Sequence, residues 1–280
     1  MYTSQTLTVD TENTLTHQEL PSVQPQLSII VPTFQEAQNL PLLAAEITDA
    51  LAQVITEWEL IIVDDNSQDG TVEVCQQLCS EGVPVRLVVR TNARGLSSAV
   101  VEGFAHAQAP ILVVMDADLS HPASAIPQMY AAIMAGDEFA IGSRYVPGGS
   151  TDGQWSTYRW LNSKVAACLA KPLVSLSDPT AGFFAVARSL LQRCERLNPI
   201  GYKIALEVLI KSRATRIREV PIHFRDRKFG QSKLKFKQQL LYLQHLYTLY
   251  RFRARQSSRP QSATAFPPMR EETVIHKEEF

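Results

Sequence analysis

Four short runs, LSIIV (27–31), ELIIVDD (59–65), VRLVV (85–89) and ILVVM (111–115), are largely apolar at consecutive rather than alternate positions. Successive side chains on a strand point to opposite faces, so a strand with no alternation has both faces buried. Each run is followed by a stretch with helical spacing: about Leu40 to Leu51, then TVEVCQQLC, SSAVVEGFAHA and AIPQMYAAIMA. Strand and helix in strict turn predict an α/β fold with a mostly parallel central sheet and helices on both faces. Ligands on such sheets bind beyond the carboxyl ends of the strands. VPTFQE, DDNSQDG and DADLSHP all fall there, which makes one shared site the expectation.

The chain has 280 residues, with 27 Lys+Arg against 28 Asp+Glu. That balance argues against bulk nucleic-acid binding as the main task. The core domain is expected over 27–233, after a polar segment (1–26) rich in Thr, Gln and Ser that is expected to be disordered. A basic amphipathic helix is expected over 234–253, and the tail over 254–280 reads like the N-terminal segment. No window approaches the ~18 apolar residues of a membrane span, and the N-terminus lacks the basic start and apolar core of a signal peptide. Cys75, Cys79, Cys168 and Cys194 lack a second pair at zinc-ligand spacing, so they read as buried thiols in a reducing, cytoplasmic compartment.

No GxGxxG follows the first strand and no GxxxxGK[ST] occurs, so a phosphorylated ligand needs another means of charge neutralisation. Asp116 and Asp118 supply one. In an extended segment residues i and i+2 point the same way, and two converging carboxylates repel unless a cation or a proton lies between them. Mg²⁺ or Mn²⁺ takes one or two carboxylates and completes its shell with water and substrate phosphates. The competing reading is a strand end whose aspartates cap the next helix. His121 is either a third ligand or a packing group. Asp69, before Gly70 and Thr71, reads as a helix N-cap. Asp65 and Glu36, at strand ends, can accept hydrogen bonds from a nucleobase edge or ribose hydroxyls, or can be turn acids.

Taken together and in order, SIIVPTFQEAQNL, DDNSQDGT, DADLSHP, GSRY, DPTAGFF and FRDRKFGQSK resemble the dolichol-phosphate mannosyltransferases, inverting glycosyltransferases of family 2 with the GT-A (Rossmann-like) fold. The resemblance runs from about Gln26 to about Arg253. It implies GDP-mannose as donor, a polyprenyl or dolichyl phosphate as acceptor and a divalent metal, Mg²⁺ or Mn²⁺. By matching position it implies that Pro32, Phe34, Glu36, Val63 and Asp65 hold the guanosine. Asp116, Ala117 and Asp118 would lie along the diphosphate, with the metal on Asp116 and Asp118. Arg144, Arg227 and Lys233 would contact phosphates, Arg227 with a catalytic role, and Arg144, Arg159 and Ser163 would meet the acceptor phosphate. Three positions depart from the pattern: Gln35 precedes Glu36 where Asn is usual, Phe34 replaces a frequent Tyr, and Gly95-Leu96-Ser97 replaces Gly-Leu-Gly.

The rest of the chain offers weaker signals. Lys164 is a further basic candidate near the acceptor. Asp178 reads as a turn former or as a pocket wall, and Glu207, on a packed helix, can face the cleft. In the late helix Phe236, Leu240, Leu243, Tyr247 and Tyr250 fall on one face, flanked by Lys and Arg. That pattern reads either as packing on the domain or as an interfacial helix giving peripheral attachment at the cytoplasmic face of a membrane or to a small membrane subunit. The rival functions are another family-2 enzyme using UDP-glucose or a UDP-N-acetylhexosamine, a nucleotidyltransferase, and a non-catalytic nucleotide-sugar-binding protein.

Overall fold

The computed structural model describes residues 7–9, 14–17, 24–152, 157–226 and 236–256. In chain order its elements are β1 (Leu7–Val9), β2 (Thr14–His17), β3 (Leu27–Thr33), α1 (Leu40–Leu51), β4 (Trp58–Asp64), α2 (Thr71–Ser80), β5 (Val85–Val89), α3 (Leu96–His106) and β6 (Ile111–Val114). A 3₁₀ turn (Ala123–Ala125) leads into α4 (Ile126–Met134) and β7 (Phe139–Ser143). The second half holds β8 (Ser150–Thr151), α5 (Thr157–Ala170), β9 (Phe184–Ala187), α6 (Arg188–Gln192), α7 (Ile204–Ser212), β10 (Ile217–Pro221), β11 (His223–Phe224) and α8 (Phe236–Gln256).

The main sheet runs β1-β2-β5-β4-β3-β6-β9-β7-β10, with β5, β4, β3 and β6 parallel as the pattern predicts. The continuous apolar runs have the predicted cause. Ile29 and Val31 of β3 and Leu60 and Ile62 of β4 pack on the side of α1, α2 and α4. Ile30, Ile61 and Val63 pack on the side of α3 and α7. Helix α3 lies so close to β3 that a Cβ at Gly103 would stand 2.3 Å from Ile30 Cγ2, which is why this helix position holds no side chain.

Beyond β6 the sheet is less regular. Strand β9 enters between β6 and β7 and runs antiparallel to both, while β10 returns parallel to β7. Two short pieces lie within the extension expected to be disordered over 1–26. Leu7–Val9 and Thr14–His17 form an antiparallel pair, and the second of these lies antiparallel on β5. Strand β5 would otherwise end the sheet with an unpaired row of backbone groups, and the β-branched pattern of these pieces suits such pairing.

Cys75, Cys79 and Cys194 are buried free thiols, and burial pushes Cys75 and Cys194 up to about 12. Cys168 departs from expectation: it is exposed on α5.

A third cluster joins α5, α7 and α8 through Ala170, Leu173, Leu206, Ile210, Tyr242, Leu246 and Leu249. The buried face of α8 is therefore Tyr242, His245, Leu246 and Leu249. The apolar stripe read from the sequence lies on the other side, with Leu240 52% and Tyr247 61% exposed and Leu243 exposed between them. Spacing alone finds an apolar stripe, but a helix with two of them leaves the choice of buried face to its partners. Among the described residues no helix is long and apolar enough to cross a membrane.

Candidate active site

The loops after β3, β4 and β6 meet at the carboxyl end of the sheet, where the register sets Thr33 beside Asp64. The first two loops are laced together by aspartates. Asp64 is fully buried; its Oδ2 accepts from the Ser67 amide at 2.7 Å and its Oδ1 from the Ser67 hydroxyl at 2.6 Å. Burial raises its pKa against the pull of those bonds. Ser67 Oγ in turn accepts from the amide of Gln35, which sits at φ 58, at 2.8 Å. Asp69 bridges the loops: Oδ2 accepts from the Ala37 amide at 3.0 Å and Oδ1 from the Thr71 hydroxyl at 2.7 Å. The N-cap position itself is Gly70, at φ 92, so Asp69 acts one residue outside the predicted cap.

The candidate nucleoside residues fall at this end in different environments. Pro32 is buried in β3, and the half-buried ring of Phe34 lies 5.1 Å below the guanidinium of Arg94. Glu36 Oε2 accepts from Asn39 Nδ2 at 2.6 Å. Val63 is buried in the core under α3, which leaves its backbone rather than its side chain at the site. Asp65 carries an arginine that sequence reading overlooked. Arg90 Nε donates to Asp65 Oδ1 at 2.8 Å, its Nη2 donates to the same oxygen, and the Gly95 amide donates to Oδ2 at 2.7 Å. The signal was present: Arg90 is a charged residue directly after the apolar strand VRLVV.

The chain turns sharply after β6, with Leu119 at φ 62. Asp116 keeps a third of its side-chain surface in solvent, whereas Asp118 is buried and its Oδ1 accepts from the Ser120 amide at 3.1 Å and hydroxyl at 2.6 Å. Ala117, between them, is buried. The pair thus sits in a turn rather than in the extended segment anticipated from the sequence. His121 is buried, stacks on Phe183 at 5.1 Å and meets the edge of Phe224 at 5.6 Å. Burial lowers its pKa, with Asp116 and Asp118 pulling the other way.

Just after β7, Arg144 holds Asp178 in a two-pronged pair, Nε to Oδ2 at 2.6 Å and Nη2 to Oδ1 at 2.8 Å. Asp178 is fully buried; burial would raise its pKa, but the Arg144 hydrogen bonds and charge hold it low. Lys203, just before α7, donates to the Thr180 carbonyl, and Arg144 Nη2 reaches the Thr180 hydroxyl at 3.4 Å. Burial, then Arg144, brings the Lys203 ammonium down to about 8, against the opposing pull of Asp178 and Asp116. Lys203 also went unread in the sequence, because a lysine at a helix start carries no motif.

The segment that leads into Arg227 is tied to the aspartate turn. The Arg225 amide donates to the Ser120 carbonyl at 3.1 Å, and the Asp226 amide donates to Asp152 Oδ2 at 2.7 Å. Phe224 lies beneath Arg144, 5.4 Å from guanidinium carbon to ring centroid. Arg227 and Lys233 themselves lie outside the described residues, as do the side chains of Arg159 and Ser163 on α5. Lys164 is exposed, its ammonium 3.9 Å above the Tyr145 ring. Glu207 does not face the cleft. It is buried against α8, with Lys211 and the Asn198 amide on Oε1 at 2.6 Å each and His245 Nε2 3.3 Å from Oε2.

Among the described residues no three His, Cys, Asp or Glu groups gather as a closed metal cage. Two carboxylate-bearing residues in one turn match what an open site for a hard cation needs from a protein, its other positions being left to phosphate oxygens and water. The residues fit Mg²⁺ or Mn²⁺ in that sense.

The model of glycosyl transferase family 2 matches residues 28–194. A dolichol-phosphate mannosyltransferase of Mycosarcoma maydis is 45% identical over 83% of this chain and 81% of its own length. One of Pyrococcus furiosus is 44% identical over 81% of this chain, which spans 64% of that relative. Among solved structures, glucosyl-3-phosphoglycerate synthase from Mycobacterium tuberculosis, in complex with Mn²⁺, uridine diphosphate and glucosyl-3-phosphoglycerate, superposes with a TM-score of 0.58. Its sequence identity is 17%, over 85% of this chain and 82% of that one.

Proposed function

The chain belongs to glycosyl transferase family 2, among the dolichol-phosphate mannosyltransferases, and from that membership we propose that it moves mannose from GDP-mannose to a polyprenyl or dolichyl phosphate. The observation that carries this reading is the Asp116–Asp118 turn, set at the sheet's carboxyl end near the cationic Lys203 and the Arg144–Asp178 pair. An acidic turn facing basic groups suits a ligand that brings both a metal and phosphates.

In this reading the acceptor is its own nucleophile. The second pKa of a phosphate monoester is ~6, so at neutral pH the oxygen attacks without a protein base. A bond forms between that oxygen and the anomeric carbon, on the face opposite the diphosphate. The bond from the anomeric carbon to the diphosphate oxygen breaks, and GDP leaves with the electron pair. Asp116 and Asp118 would hold Mg²⁺ or Mn²⁺, which when bound would offset the charge developing on the leaving diphosphate. Arg144, Arg159 and Ser163 receive the acceptor phosphate, Arg144 through the edge of its guanidinium that does not face Asp178. Arg227 and Lys233 serve the donor phosphates. The donor base rests against the Phe34–Glu36 and Asp65 loops, where Arg90 and Gly95 orient Asp65.

A lipid acceptor requires contact with a bilayer. The exposed Leu240, Leu243 and Tyr247 of α8, with Arg251, Arg253 and Arg255 at its end, supply apolar and cationic groups for an interface. Peripheral attachment at a cytoplasmic membrane face follows from this reading, directly or through a small membrane subunit.

The test is transfer of labelled mannose from GDP-mannose to a short polyprenyl phosphate with Mg²⁺, Mn²⁺ or EDTA, for the wild type, Asp116→Asn and Asp118→Asn. Metal-dependent lipid-linked product lost in both variants is expected. Product from UDP-glucose but not GDP-mannose would change the donor. Undiminished product in both variants would overturn the role of the aspartates.

A further inference from the structure

His121 touches Asp116 twice. The Asp116 amide donates to His121 Nδ1 at 3.0 Å, and Nε2 of the same ring lies 3.9 Å from Asp116 Oδ2. An Nδ1 that accepts a hydrogen bond carries no proton, so in the neutral ring the proton sits on Nε2, toward the carboxylate side. Neither nitrogen then offers a lone pair to a cation. The ring is also fixed in place, between the face of Phe183 and the edge of Phe224, and it approaches Gly182, where an added Cβ would stand 3.8 Å from Cε1.

From this geometry we infer that His121 is a positioning residue for Asp116 rather than a ligand. The inference rests on the reading of Asp116 and Asp118 as metal holders. It accounts for both features of the imidazole at this position, its acceptor nitrogen and its ring. An aliphatic or phenyl side chain fills the slot between Phe183 and Phe224 but gives the Asp116 amide no acceptor. A hydroxyl or a carboxamide accepts but does not fill it. The backbone of Asp116 is held at its amide by a ring that is itself fixed between Phe183 and Phe224, so the turn is preorganised before metal or donor arrives.

The test uses the full chain with GDP and Mn²⁺, read by electron spin resonance. Histidine labelled with ¹⁵N separates imidazole from guanine nitrogen in the pulsed spectrum. The expected result is bound Mn²⁺ with no directly coordinated histidine nitrogen. Two variants complete it: His121→Asn, which keeps an acceptor near the Nδ1 position, and His121→Phe, which keeps the ring contacts. Mn²⁺ affinity should fall about tenfold or more in His121→Phe and much less in His121→Asn. A coordinated histidine nitrogen would overturn the inference while leaving the metal reading intact, as would wild-type affinity in a folded His121→Phe or an equal loss in both variants. If His121→Phe does not fold, the wild-type spectrum and His121→Asn decide. Absence of Mn²⁺ binding to the wild type would overturn both the inference and the metal reading beneath it.

Discussion

Asp65 and Arg90, at the carboxyl ends of neighbouring strands, form a buried ion pair, with Nε and Nη2 of the arginine on one carboxylate oxygen. The other oxygen takes the Gly95 amide, and Arg90 Nη1 donates to Ser98 Oγ at 2.9 Å. The pair fixes the loop between β5 and α3 against the loop after β4.

Breaking that pair from one side should be costly. Arg90→Met leaves a buried carboxylate without its cation, for which about 3–5 kcal/mol of lost stability is expected. Urea unfolding measures it. The double variant Asp65→Asn/Arg90→Met should recover part of the loss, because no charge is then stranded. If Arg90→Met unfolds like the wild type, the pair contributes nothing to holding the loop.

Glu207 and His245 predict a different separation. Their contact, with Lys211 and Asn198, holds α8 on α7. Glu207→Gln removes the charge that faces Lys211 and His245. Faster proteolytic cleavage within α8 is expected, with Mn²⁺ affinity in the presence of GDP unchanged. A fall in that affinity with α8 still protected would place Glu207 in the cleft after all.

Acid stability should report Glu138. Hydrogen bonding from Arg193 first, and then from Thr215 and Arg216, brings its carboxyl down to about 2 from an ordinary 4.5, against a smaller opposing effect of burial. A folded value below the unfolded one means that the contribution is complete above about 4.5 and is lost as pH falls toward about 2. Glu138→Gln should therefore be less stable than the wild type at neutral pH and lose less on acidification. Parallel curves of stability against pH for the two proteins would contradict this.

The exposed side of α8 predicts lipid binding. Leu243→Asp/Tyr247→Asp should reduce recovery with anionic vesicles in flotation, while thermal unfolding stays near wild type because both side chains are half or more exposed. Equal recovery would remove α8 as the contact.

The first half of the fold was legible because each parallel strand is short, local and buried on both faces, so its composition alone reveals it. The family motifs lie at those strand ends, and the loops after β3, β4 and β6 do meet there. The second half was less legible. Strand β9, FAVA, is four residues long, and nothing in it says that it will run antiparallel between β6 and β7.

The site divides in the same way. Asp116, Asp118 and Asp65 stand out in the sequence because carboxylates end apolar strands. Their partners do not, because Arg90 is 25 residues from Asp65, Arg144 is 34 from Asp178, and no local pattern links either pair. His121 was visible as a residue but not as an acceptor for Asp116, since that depends on the turn at Leu119 and on the slot between Phe183 and Phe224. The buried face of α8 was likewise set by α5 and α7. Sequence by itself determined which residue types stand at the ends of the strands, because burial writes itself into consecutive side chains. Only the tertiary structure decided which of them are paired, capped or held in place, because those contacts join segments far apart in the chain.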